Sequence, residues 1–173
     1  MNKNKVCMVT LEYPPDQWGG LARTVVNVVH HVRDMGLEVH VAHVTVLEDA
    51  TVLLDENRKD ENSDGILVHR LQVGVESLLD RPFTIWDSPH TRTFKMMYQS
   101  LELLHEQECF DLFHSFFLYP TGYITGLLAR RMQVPSILTL VGNDVKKYIF
   151  CPEMAAFCRS GLENADRVAA LSH

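Results

Sequence analysis

Two adjacent glycines, Gly19 and Gly20, stand between the apolar run Val6–Leu11 and a Val-rich amphipathic segment. At the mouth of a helix, glycines leave backbone N–H groups bare, and the helix dipole adds partial positive charge. An anion such as a diphosphate can then approach the chain closely. The same doublet also suits a turn that needs positive φ, so both readings stay open. The pattern is neither G-x-G-x-x-G nor G-x-x-x-x-G-K-[ST], so the signatures of dinucleotide dehydrogenases and P-loop NTPases are missing. Glu48 or Asp49 could stand where a ribose-binding acid would, but without the glycine fingerprint neither carries weight.

Further polar groups follow other apolar runs. Glu12 leaves the first run directly. His114 and Tyr119 flank "SFFL", and Asn143 and Asp144 follow "PSILTLVG". A carboxylate at a strand end can orient a sugar hydroxyl or a water, or it can cap a nearby helix. His114 can serve as a general base or an acceptor contact, or be a satisfied, half-buried side chain.

Spacing gives no metal site. There is no H-E-x-x-H, and His30 and His31 point to adjacent faces of a helix. The four cysteines, Cys7, Cys109, Cys151 and Cys158, lack C-x-x-C spacing and read as reduced thiols of a cytoplasmic protein.

These groups need a scaffold. "VCMVTL" reads as a central parallel strand, Leu21–Met35 as an amphipathic helix stopped by Gly36, and "VHVAHVTV" as a second strand. Glu48–Gly65 holds seven acids and two bases and reads as a solvated loop or weak hairpin. "ILVHRL" is a third strand, an irregular stretch follows, and Ser88-Pro89 caps the next helix. "DLFHSF", "PSILTLV" and "DRVAALS" are further strands, with helices over Thr121–Val134 and from Pro152 to about Asn164. Six strands alternating with helices predict an α/β fold: a doubly wound, mostly parallel Rossmann-like sheet in one domain over 1–173. Ligands of such sheets sit beyond the carboxyl ends of the strands, where strand order reverses. The loops after Leu11, Ser115 and Val141 should therefore share one rim.

At 173 residues and 46% hydrophobic, the chain can bury a full core. Its net charge of −6 and lack of a basic run argue against nucleic-acid binding. No apolar run approaches the roughly eighteen residues of a membrane span. "KKYIF", Lys146–Phe150, can touch a membrane surface or fill a domain edge, and the second reading is preferred.

Four segments, in order, resemble the N-terminal domain of a GT-B fold glycosyltransferase of the large retaining, family 4-like group. They are "YPPDQWGGLARTVVNVVHHVRDMGLEVHVAHV", "FDLFHSFFLYPTGYITGLLARRMQVPSILTL", "GNDV" and "ADRVAALSH". The resemblance implies an acceptor-binding half that faces a second half holding a nucleotide-sugar, with no other cofactor. It places Gly19 and Gly20 against the donor's diphosphate. Glu12, Tyr119 and Asn143 fall on the side of a glycan, lipid or small-molecule acceptor, and Asp144 and His114 are the expected catalytic pair. Two positions depart from the family's pattern: Val141 and Phe116 stand where histidines are usual. The donor-binding C-terminal domain is expected to be absent, leaving little transferase activity in the chain alone. The alternatives are a non-catalytic module that pairs with a separate donor-binding subunit, and a flavodoxin-like nucleotide-binding domain. The expected location is the cytoplasm, possible contact with the inner face of the membrane included.

Overall fold

The computed structural model describes residues 4–16, 18–47, 53–54, 56–74 and 89–170. Ser88 and the acids Glu48 and Asp49 lie outside the described residues, as does His173. Among the described residues, a sheet of seven strands runs in the order β3-β4-β2-β1-β5-β6-β7. β1 (Lys5–Thr10) lies at its middle, parallel to β2 (Glu38–Val46) on one side and to β5 (Leu112–Phe116) on the other. A strand covered on both faces needs apolar side chains at every position. Accordingly Val6, Cys7, Met8 and Val9 are all buried.

The helix α1 (Gly20–Asp34) buries Ala22, Val25 and Val29, one helical stripe, and packs the two valines against Val6, Met8, Val39 and Val41. It ends as its sequence predicts: Gly36 takes φ 91°, and its N–H donates to the Arg33 carbonyl at 2.8 Å. On the opposite face of the sheet lie α2 (Pro89–Glu108) and α3 (Tyr123–Met132). Their residues Met97, Leu101, Leu104, Ile124 and Leu128 pack on Cys7, Val9, Ala42 and Phe113. Beside α3 runs α5 (Pro152–Asn164), which buries Cys158 against Leu118 and Leu138. The short α4 (Asn143–Lys146) follows β6 (Ser136–Leu140), and β7 (Arg167–Ala170) forms the far edge.

The acidic segment departs from its main expectation and meets the weaker one. Arg58–Ser63 is a seventh strand, β3, antiparallel to β4 (Ile66–Val73). Asp64 and Gly65, at φ 52° and 79°, make the two-residue turn between them. Positive φ at both central residues is what Asp-Gly supplies in a hairpin. The charge count hid a turn signal that the sequence does contain.

From β1 the chain moves outward to β2 and β4, then returns through α2 to β5 on the other flank of β1. Strand order therefore reverses between β1 and β5. Their carboxyl ends, with that of β6 alongside, edge a single rim.

Candidate functional site

Glu12 leaves β1 at this rim and turns back under α1. The Thr10 hydroxyl accepts its N–H at 3.3 Å, and its Oε2 accepts the N–H of Ala22 at 3.3 Å. The mouth of the helix is thus capped by a carboxylate from the preceding loop. Gly19 has extended backbone (φ −92°, ψ −173°), so positive φ does not explain it. A Cβ there would stand 2.4 Å from Glu12 Oε2, so a side chain at this position would have to push the Glu12 carboxylate aside. Gly20 differs: a Cβ there would meet nothing within 4 Å. One glycine makes room for the protein's own carboxylate, and the other leaves the helix mouth open to the outside.

The loop from Glu12 to Asp16 is held from below by Arg70 of β4, a residue that no sequence motif marks. Its Nη1 donates to His43 Nδ1 at 2.8 Å and to the Tyr13 carbonyl at 3.3 Å. Nη2 donates to the Pro14 carbonyl, and Nε to Glu61 at 2.8 Å. Because the Leu11 carbonyl only accepts, His43 Nε2 carries the proton and donates to it at 3.2 Å. Burial first, and then the Arg70 charge, hold the His43 pKa below its usual value. A depression of about 340 Å³ beside this loop is lined by Pro15, Asp16, Arg58, Glu61 and Arg70. A half-buried arginine aimed at two carbonyls leaves no sequence pattern; it emerges only when β4 is placed beside β2.

After β5, Phe117 takes φ 79°, and Leu118–Gly122 forms a tight turn kinked at Tyr119, whose own backbone is extended (φ −138°, ψ 130°). A Cβ on Gly122 would lie 2.9 Å from the Phe117 carbonyl oxygen, so this turn closes only around glycine. The next loop is stitched to it by Asp144, which is fully buried. One Asp144 oxygen accepts N–H groups of Gly142 at 2.8 Å and Val145 at 3.0 Å. The other accepts those of Val141 at 3.0 Å and of Leu118 at 3.2 Å, across the rim. Gly142, at φ 109°, supplies the left-handed bend that turns these amides inward.

His114 sits two residues before the end of β5, buried, with Nε2 2.8 Å from the Thr139 hydroxyl of β6. Its ring stacks on Phe116, centroids 4.5 Å apart. Burial lowers its pKa to about 4, so the imidazole is neutral near neutral pH. Tyr119 is half-buried in an aromatic cluster with Phe94 and Phe157, at 5.5 and 5.7 Å. Asn143 opens α4, but its side chain lies outside the described residues. The structure thus joins Glu12 to Gly19 and Asp144 to the turn after β5, and sets His114 just below the rim.

A cavity of about 710 Å³ lies at the opposite edge of the sheet, lined by Leu112, Gln133, Val134, Ser136, Asn164 and Asp166. It collects the amino ends of β5 and β6 and the carboxyl ends of α3 and α5, away from the switch point. No described helix is long and apolar enough to cross a membrane.

Residues 19–173 match the glycosyl transferase 4-like domain family. An uncharacterized glycosyltransferase of Methanocaldococcus jannaschii is 23% identical over 97% of this chain and 40% of its own length. A Bacillus subtilis glycosyltransferase provisionally assigned to teichuronic acid biosynthesis is 27% identical over 98% of this chain and 44% of its own. Among solved structures, sucrose-phosphate synthase from Thermosynechococcus elongatus is similar in fold. Its TM-score is 0.58 at 15% identity, with 96% of this chain and 42% of that one covered. The chain spans about two fifths of the length of the curated relatives it matches. By the match that takes in α1 and every element after it, the chain belongs to the glycosyl transferase 4-like domain family.

Proposed function

We propose that this chain is the acceptor-side half of a glycosyltransferase that uses a nucleotide-sugar, with a donor-binding domain closing the cleft over the rim. The observation that carries the reading is the open side of Gly20. At the switch point, where a parallel sheet takes its ligands, the mouth of α1 is bare on that side. A donor diphosphate held by the second domain would approach Gly20 there, beside the Glu12 carboxylate. Stabilising that leaving group is the larger electrostatic task of the transfer. Family membership and the two-fifths span of the relatives support a chain that works beside another domain.

The acceptor would lie along Glu12, Tyr119 and Asn143. Asp144 and His114, first expected to be catalytic, act in this reading by positioning. The Asp144 carboxylate is occupied by four backbone amides, and the His114 imidazole is neutral and held by Thr139. Exposed Lys146, Lys147 and Phe150, next to the rim, are where such an enzyme would touch an acidic bilayer surface.

Amide hydrogen exchange on the chain with oligosaccharide acceptors, and with UDP-glucose as donor probe, tests the reading. Acceptor protection confined to residues 117–123 and 141–146, with no turnover by the chain alone, is the expected result. Protection around Gln133, Val134 and Asp166 instead would move the site to the far cavity and end the proposal. Efficient transfer without a second domain would end it too. The non-catalytic reading, favoured by the apolar Phe116 and Val141, expects no acceptor protection and rim protection only with a partner subunit.

A further inference from the structure

His40 of β2 and His69 of β4 are both buried on the sheet face that α2 covers, towards the edge opposite the rim. Their rings meet edge to edge and nearly coplanar, tilted by 20° with centroids 5.2 Å apart, and His40 Nδ1 lies 2.9 Å from His69 Nε2. Each outer nitrogen meets a carboxylate: His40 Nε2 is 3.1 Å from Glu38 Oε1, and His69 Nδ1 is 2.8 Å from Asp60 Oδ1.

Carboxylates only accept, so this row of three contacts needs three protons, and two neutral imidazoles bring two. Whichever tautomers are drawn, one contact sets lone pair against lone pair. With both carboxylates served, it is the central contact, where two bare nitrogens face each other. A buried pair of acceptors at that separation calls for a positive charge between them, a proton or a metal ion. Glu108, the last residue of α2, brings a third acceptor: one atom from each of His40, His69 and Glu108 falls within 4.8 Å of the others.

We propose that His40 Nδ1, His69 Nε2 and the Glu108 carboxylate bind a divalent transition-metal ion of the zinc class. Glu38 and Asp60 would serve as the outer carboxylates that fix the two rings, and a water would take the fourth position. Two imidazoles and one carboxylate suit zinc better than magnesium or calcium, which favour all-oxygen sites. A carboxylate behind each metal-binding imidazole is the usual supporting arrangement. Tetrahedral ligands at zinc bond lengths stand roughly 3.3 Å apart, so the two nitrogens must part slightly and both rings must turn from head-on towards the tetrahedral angle while Glu108 swings in.

Glu108 can turn without stranding its present partners. Lys5, 3.2 Å from it, keeps Glu38 at 3.6 Å, and Arg58, 3.8 Å from it, keeps Asp60 at 2.5 Å. Three carboxylates and two cations leave the cluster at −1 before any ion enters. The ion would bolt β2, β3 and β4 to the end of α2, far from the rim, so its role is structural. The two histidines are twenty-nine positions apart and Glu108 comes from a third element, which is why spacing along the chain hid the cluster.

The test strips the 173-residue chain with chelator and titrates it with cobalt(II), then displaces the cobalt with zinc. One equivalent of cobalt with the visible absorption of a tetrahedral N/O site, displaced by one equivalent of zinc, is expected. Glu108→Gln and Asp60→Asn alter partly exposed side chains, so the fold should tolerate both. Each should weaken zinc binding about 10- to 100-fold, as loss of a ligand or of its supporting carboxylate does. A His30→Gln, His31→Gln double variant should bind as wild type. Absence of one-equivalent uptake would overturn the site and leave a shared proton between the rings. So would uptake unmoved by Glu108→Gln and Asp60→Asn, or a thiolate-to-cobalt charge-transfer band from the neighbouring Cys109.

Discussion

Glu12 Oε2 stands 2.4 Å from where a Cβ on Gly19 would be, so the carboxylate occupies the space that any other residue at position 19 would claim. Gly19→Ala should therefore push Glu12 off the Ala22 amide and destabilise the chain by about 1–2 kcal/mol, the size of a lost helix cap. Glu12→Ala removes the obstacle, so the double variant should be no less stable than Glu12→Ala alone. Urea melts of the four species measure the coupling, and strictly additive losses would refute the contact.

Gly20 carries the opposite expectation. A side chain there meets open space, so Gly20→Val should leave the unfolding free energy within about 0.5 kcal/mol of wild type. In an enzyme complete with its donor-binding domain, the same change should raise KM for the nucleotide-sugar or lower kcat. Unchanged kinetics would separate Gly20 from the diphosphate.

Asp144→Asn keeps the shape and removes the charge. The amide offers one acceptor oxygen where two accepted N–H groups from Leu118, Val141, Gly142 and Val145. Its NH2 would turn donors against donors. A loss of about 3 kcal/mol is expected, the scale for breaking a buried, charge-assisted set of hydrogen bonds. Faster amide exchange should appear at Leu118 as well as at Gly142, and exchange confined to residues 141–145 would show that the two loops are independent.

His114 sets a pH dependence. Its folded pKa, about 4, is below the 6.5 of an ordinary histidine, so the unfolded chain takes up the proton first as pH falls. The imidazole therefore costs nothing above pH 6.5, and stability declines between 6.5 and about 4, by roughly 3 kcal/mol in total. Chemical denaturation across that window should show a shallower slope in His114→Gln than in wild type. Parallel slopes would mean that the ring is not held neutral.

Much of the scaffold is legible in the sequence because burial leaves patterns. The unbroken apolar run of β1, the stripe of α1 and Gly36 each follow from one local rule. The seventh strand is only the second reading of its segment because its residues are charged on both faces, and the Asp-Gly turn is what betrays it. At the rim, local reading located the glycines and Glu12 but not their division of labour, which depends on where the side chain seven positions before Gly19 folds back. Asp144 stood out as a polar group after a strand, yet its four backbone partners come from two loops. Arg70 was invisible: its role is to hold another strand's loop, and nothing within its own strand points to that.

The outer strands give the sheet two unlike borders. β3 opens with Arg58, Lys59, Asp60 and Glu61, a mixed row of charges that would repel or mismatch any strand laid alongside. β7 is Arg-Val-Ala-Ala, exposed at every position, with Val168 46% accessible. Among the described residues, strand addition is thus opposed on the hairpin side and least opposed along Arg167–Ala170.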